Sequence, residues 1–317
     1  MTTTLSPDHP CLTAIRSRRD LLAEGYADTT IRAAVRAGVL HRIRHGTYVD
    51  GRVWEGLDDA ARHALLARAA YRSARTASVI SHASALPFHE APVWGFDLTE
   101  AHLTRDDHKA GRHESGVQQH RGLVLPEDVI DVHGLRVMSA TRTALEVTTL
   151  DSPEAALVAI CFLLHTEQTT PEALLARLEQ SITTWPDTLS TRRILGLADA
   201  RIESPLEARF LHLCWLTGLP AATPQVEIRD RDGRLIGRVD FAWPHLRAFA
   251  ELDGTEKYLK YRRPGETVAE AVAREKSRED RIREITGWRC IRLTWADMAS
   301  PARTAARIRA VLSGLAA

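Results

Sequence analysis

The chain has 317 residues, 44% of them hydrophobic and 26% charged, with 42 Lys and Arg against 41 Asp and Glu. That length suits two or three domains, and a net charge of +1 argues against binding nucleic acid through overall charge alone. No apolar stretch reaches the ~20 residues of a membrane-spanning helix, and MTTTLSPDHP lacks the basic head and apolar run of a signal peptide, so the expected location is the cytoplasm, with no membrane partner.

The first segment reads as two helices and a hairpin. Ser17 can cap a helix with Asp20 at its third position, and RRDLLAE stops at Gly25. A second helix follows Asp28 and stops at Gly38. Ile31, Ala34, Val35 and Leu40 fall at helical spacing, leaving Thr29, Thr30, Arg32 and Arg36 outside. VLHRIRHGTYVD then makes a basic hairpin around Gly46 carrying Arg42 and Arg44. Small hydroxyls and arginines on a second helix suit a DNA major groove, and wing arginines suit phosphates. A small helical bundle with arginine-rich solvated faces would read the same way.

The wing pattern Gly38, Leu40, Arg42, Gly46 and Tyr48 resembles the N-terminal winged helix of AbiEi-type antitoxins. That resemblance favours the DNA-binding reading for residues 1–55. The middle segment, 56–200, is expected to be α+β: helices near DAARHALLARAAYRS and SVISHASALP, strands near FDLTEAHLT, GVQQH and LRVMS, and helices from Ala140 onward. SHASAL and VIDVHGLRVMSATRTAL resemble the region that follows the winged helix in AbiEi-like proteins. Its acids and histidines fall singly on helix faces or in loops and form no catalytic constellation. Cys11, Cys161, Cys214 and Cys290 are scattered among apolar residues, and no His or Cys stands at zinc-ligand spacing. TTWPDTLSTRR is a candidate hinge before a third domain over 201–317.

The last segment reads α, β, β, β, α, β, α: a mixed sheet flanked by helices. A hairpin turns at Asp232-Gly233, and a Trp-Pro turn joins GRVDFAW to AFAELDG. Alternation puts Phe249, Glu251 and Asp253 on one face of their strand, and Arg238 and Asp240 on one face of theirs. Pairing around the turn brings Asp240 near Glu251. Two such carboxylates need a cation, an arginine or a shared proton between them. The fold class expected for the whole chain is α/β, α+β overall.

ESPLE, GRVDFAWP, AELDG, REKSREDRIRE and GWRCIRLTW, in that order, resemble the PD-(D/E)XK nucleases, and among them the very-short-patch-repair-like endonucleases. The resemblance covers most of residues 202–298. It implies a restriction-endonuclease-like domain in which Asp240, Glu251 and the carbonyl of Leu252 hold Mg²⁺ or Mn²⁺ for DNA hydrolysis. Glu207 is then either support for that site or only the cap of SPLE. The chain departs from the motif at Asp253, where a lysine is expected. Lys276 or Lys257 can supply the charge instead, Asp253 can be a further ligand, or cleavage has been lost. Under the last alternative the protein is a transcriptional regulator or antitoxin with a toxin partner. The winged helix also raises a homodimer as a prospect.

Overall fold

Ser17 accepts from the Asp20 N–H at 3.1 Å while Asp20 accepts from the Ser17 N–H at 2.7 Å, the reciprocal cap expected from the sequence. This computed structural model describes residues 5–107, 111, 113–114, 116–181, 185, 188–253 and 267–314, without the side chains of 268, 269, 271–273 and 275. The fold is mixed α/β. The described residues form two compact units, Met1–Ala198 and Asp199–Ala317. Among them no helix is long and apolar enough to cross a membrane.

In the first unit, β1 (Arg16–Ser17) leads into α1 (Arg18–Ala23) and α2 (Asp28–Arg36). The hairpin expected as a wing is β2 (Leu40–Arg44) and β3 (Thr47–Asp50), giving a three-stranded sheet in the order β1-β3-β2. Leu21, Ile31, Leu40 and Tyr48 close its core. α2 is capped at Ala37 and Gly38 follows at φ +72°, a conformation that costs glycine little. After α3 (Gly51–Gly56) comes α4 (Asp59–Ser73). Leu65 and Ala69 of α4 pack with Ile15 and Val49, so the N-terminal helices and hairpin share one unit with the middle region.

The middle region is built on a six-stranded sheet in the order β6-β7-β5-β4-β9-β8. Its strands are β4 (Ser78–Ile80), β5 (Ala101–Arg105), β6 (His113–Glu114), β7 (Val117–His120), β8 (Val129–Val132) and β9 (Leu135–Met138). Ala64, Ala67 and Ala70 of α4 lie against Val79, Ile80 and Leu103, small side chains that let helix and sheet approach closely. The helix expected over SVISHASALP is instead a strand followed by two short 3₁₀ turns, His82–Ser84 and Leu86–His89. Val79 and Ile80 are β-branched and lie fully buried in the middle of the sheet, where that shape packs best, and Pro87 opposes a continuous helix. α5 (Ala140–Glu146), α6 (Pro153–His165), α7 (Pro171–Ser181) and α8 (Thr191–Leu197) complete the unit. Trp185, in the stretch read as a hinge, is buried under the Arg142 guanidinium at 3.8 Å.

The second unit follows the expected order. α9 (Pro205–Thr217) precedes β10 (Thr223–Arg229), β11 (Leu235–Trp243) and β12 (Ala248–Asp253). Then come α10 (Val268–Thr286), β13 (Arg289–Thr294), a short α11 (Trp295–Met298) and α12 (Pro301–Leu312). The sheet order is β10-β11-β12-β13, antiparallel except for the parallel pair β12 and β13. Phe210 of α9 meets Phe241 edge-on at 4.8 Å, while Ile282 of α10 packs with Ala242 and Phe249, so helices cover both faces. Trp243 is fully buried with its indole N–H on the Pro220 carbonyl at 2.9 Å. Burying a large side chain of this kind stabilises by about 1.5–3 kcal/mol, which anchors the Trp-Pro turn beside the acids.

Candidate functional site

Thr29, Thr30, Arg32, Arg36 and Arg42 are all exposed, the first four on α2 and the last on the wing. Arg44 differs. A bulge after Arg42 turns it back, its guanidinium donates to Ser73 Oγ at 3.1 Å, and burial pushes its pKa down. It therefore belongs to the seam between wing and α4 and not to the outward face expected for it. At the head of α2, Asp28 holds Arg18 at 2.7 Å and fixes the helix against α1.

In the second unit the β11 and β12 ladder runs from Trp243↔Ala248 to Phe241↔Ala250. Asp240 and Glu251 lie just past its last pair. There the Leu252 N–H donates to Asp240 Oδ2 at 2.7 Å. Asp240 and Glu251 are 8% and 3% exposed, too buried for either charge to rest on solvent alone.

Arg278 of α10 donates from Nη2 to Glu251 Oε1 at 2.8 Å and from Nη1 to the Arg238 carbonyl at 2.6 Å. It crosses β11 over Gly237, where a Cβ would meet its stem at 3.2 Å. Glu207, 2% exposed, donates its N–H to Ser204 Oγ at 3.2 Å and accepts from the Ser204 hydroxyl at 2.8 Å, the Glu203 N–H at 3.0 Å and Gln225 Nε2 at 2.8 Å. Gln225, at φ +55°, falls between the pairs Pro224↔Phe241 and Val226↔Val239, level with Asp240. Glu207 is thus both a cap and a neighbour of the acid pair's strand.

The other expected residues lie elsewhere. Asp253 accepts from Arg292 Nη1 at 2.6 Å, and Arg292 also pairs with Glu279. Lys276 is exposed on α10. Lys257 lies outside the described residues. Arg278 and Gln225 were missed by sequence reasoning. The available signal for Arg278 was its place one turn before the buried Ile282, on the inner face of α10, whereas Lys276 is off that face.

The groups at the acid pair able to ligate a cation are carboxylate oxygens, with the Leu252 backbone beside them. That set suits a hard divalent cation. Among the described residues no three His, Cys, Asp or Glu converge as a metal site, so a cation here would rest on two carboxylates, backbone and water.

The middle region, expected to have its acids and histidines scattered, holds a cluster. β5 and β7 run parallel with His102↔Gln118 and Thr104↔His120 in register, so His102 and His120 share a face. The Ser81 N–H donates to the His102 carbonyl at 3.1 Å, bringing His82 in beside them. The His82 and His120 rings stack at 3.6 Å, and His102 Nδ1 lies 2.9 Å from His120 Nε2.

Glu146 of α5 accepts from the His82 N–H at 3.0 Å and from Arg142 Nε at 2.8 Å. The expectation failed because the histidines come from two strands and a 3₁₀ turn, and only the sheet order makes them neighbours. The visible signal was Arg142 and Glu146 at i, i+4 within the otherwise uncharged α5.

No family model matches the chain. Two uncharacterized proteins of Mycobacterium tuberculosis, from strains CDC 1551 / Oshkosh and H37Rv, are each 33% identical to it over 121 residues. The matched stretch is 38% of this chain and 41% of each relative, so the chain spans under half the length of those relatives.

Proposed function

We propose that the protein binds DNA through α2 and the wing, and hydrolyses DNA phosphodiester bonds at Asp240 and Glu251 with a divalent cation, Mg²⁺ or Mn²⁺. The observation that carries this reading is Arg278 at 2.8 Å from Glu251, beside the buried Asp240. It puts a basic side chain next to the acid pair, which supports giving Arg278 the role for which Asp253 is unsuited.

Asp240, Glu251 and the Leu252 carbonyl would hold the cation. When bound, it supplies Lewis-acid activation of water and of the phosphate. The chain's own residues do the rest. The Leu252 N–H holds one Asp240 oxygen in place, and Arg278 orients Glu251 and offers charge to the phosphoryl oxygens. Gln225 ties Glu207 to β10 at that level.

The test is plasmid cleavage by the full chain with Mg²⁺ or Mn²⁺ against a chelator, beside Asp240→Ala and Glu251→Ala. Metal-dependent nicking or cutting that both substitutions abolish is the expected result. Cleavage surviving both would remove this site from the chemistry.

A second reading rests on the same contacts. Arg278 on Glu251 and Arg292 on Asp253 neutralise the acids without a metal. The protein is then a regulator or antitoxin, with a toxin partner or a second copy of itself, and the nuclease-like unit serves only for binding.

Both readings use the winged helix. Removing Arg32, Arg36 or Arg42 is expected to weaken duplex binding and to lower the slope of log K against log salt by about one per arginine. Arg44→Ala should leave that slope nearly unchanged. Fluorescence anisotropy across a salt series measures both.

A further inference from the structure

The three histidines open on a cleft of about 300 Å³ inside the first unit, lined also by Gln118, Arg142, Glu146 and Trp185. Several observations mark it as more than packing. His82, buried at the head of its 3₁₀ turn, is held at φ +51°, a strained backbone that non-glycine residues seldom adopt without cause. The Trp185 indole N–H is buried without a hydrogen-bond partner, an unmet cost in this fold. The imidazole planes are nearly parallel, 13–24° apart across the trio, and His102 and His120 are partly open to the cleft.

The chemistry of the lining narrows the occupant. The 2.9 Å contact between His102 Nδ1 and His120 Nε2 requires one nitrogen to donate and the other to accept, so the pair cannot be doubly protonated. Burial, then the neighbouring ring, pushes His102 down to about 3 and His120 down to about 2, which keeps both neutral near pH 7. The fixed charges at the rim and floor are then four carboxylates, Asp97, Glu100, Glu146 and Asp151, against Arg121 and Arg142. Arg142 is already committed to Glu146, Asp128 and the Leu123 carbonyl.

An anion is disfavoured by this balance. A bare cation leaves the orphan indole donor unmet and the flat rings unused, and among the described residues no three metal-ligating side chains converge. A neutral planar heterocycle answers all three features. Its ring extends the imidazole stack, its in-plane acceptors take the indole and imidazole N–H groups, and a Gln side chain offers the donor and acceptor pair that matches adenine. The volume lies at the lower end of small-ligand pockets.

We propose that this cleft binds a neutral nucleoside through its base, with His120 and Trp185 as contacts and Glu146 as the residue that positions His82. The inference is independent of the acid pair in the second unit.

Adenosine is the probe, titrated calorimetrically into the full-length protein, with adenosine 5′-monophosphate and Zn²⁺ as separate arms. The expected result is saturable adenosine binding, with the monophosphate at least tenfold weaker. His120→Phe keeps the ring stack and removes both nitrogens, and Trp185→Phe keeps the ring and removes the indole donor. Each should weaken adenosine at least tenfold while a thermal melt shows the unit still folded. Glu146→Gln should weaken it less, since the amide still bonds the His82 N–H. Three outcomes overturn the proposal: no adenosine binding by the folded protein, monophosphate binding as tight as adenosine, or stoichiometric Zn²⁺ binding that His120→Phe abolishes.

Discussion

Arg142→Ala is expected to destabilise the first unit by about 3–5 kcal/mol, the cost of removing one partner from a buried ion network. Arg142 is 2% exposed, and its guanidinium serves Glu146, Asp128 and the Leu123 carbonyl while stacking on Trp185 at 3.8 Å. Asp128 keeps Arg177, which reaches it through Nε and Nη2, both at 2.6 Å. Glu146 keeps only its bond from the His82 N–H among these partners, and a buried carboxylate so exposed to desolvation is the main penalty. Denaturant unfolding followed by circular dichroism measures the shift. A loss below ~1 kcal/mol would mean that water takes the guanidinium's place, and the network would then not be what fixes His82 beside its neighbours.

Arg278→Ala is expected to lower metal-dependent DNA cleavage at least ~100-fold, the scale for losing one charge-stabilising donor, while Arg278→Lys retains part of the rate. Under the competing reading Arg278 is only the counter-ion of Glu251, there is no cleavage to lose, and Arg278→Ala should instead strengthen divalent-cation binding by freeing the carboxylate. Gel assays of plasmid conversion, run beside cation titrations of the same variants, separate the two. Gly237 adds a control without touching either charge: Gly237→Val puts side-chain atoms where the Arg278 stem now lies at 3.2 Å, and should reproduce part of the Arg278→Ala effect.

How far the sequence could be read depended on how local each signal was. The Ser17 capping box, the glycine stop at Gly38 and the hairpin at Gly233 are set within a few residues, and all appear in the structure. The SVISHASALP segment was misread because a short buried apolar run is ambiguous between helix and strand until its neighbours are known. The histidine cluster needed the order β7-β5-β4, which no local pattern encodes. Arg44 was misplaced by a one-residue bulge, which reverses the side of every following side chain. Lys276 and Lys257 were read as candidates and Arg278 was not because lysine is the motif's residue, whereas the inner face of α10 belongs to Arg278.

The central claim is that Asp240 and Glu251 together hold a divalent cation used in DNA hydrolysis. Titration of Mn²⁺ into the full-length protein, read by its paramagnetic resonance signal, tests this most directly when repeated with Asp240→Asn and Glu251→Gln. The account predicts one Mn²⁺ site in the native chain, weakened at least ~10-fold by either substitution. No bound Mn²⁺ in the native chain, or a site indifferent to both substitutions, would contradict it.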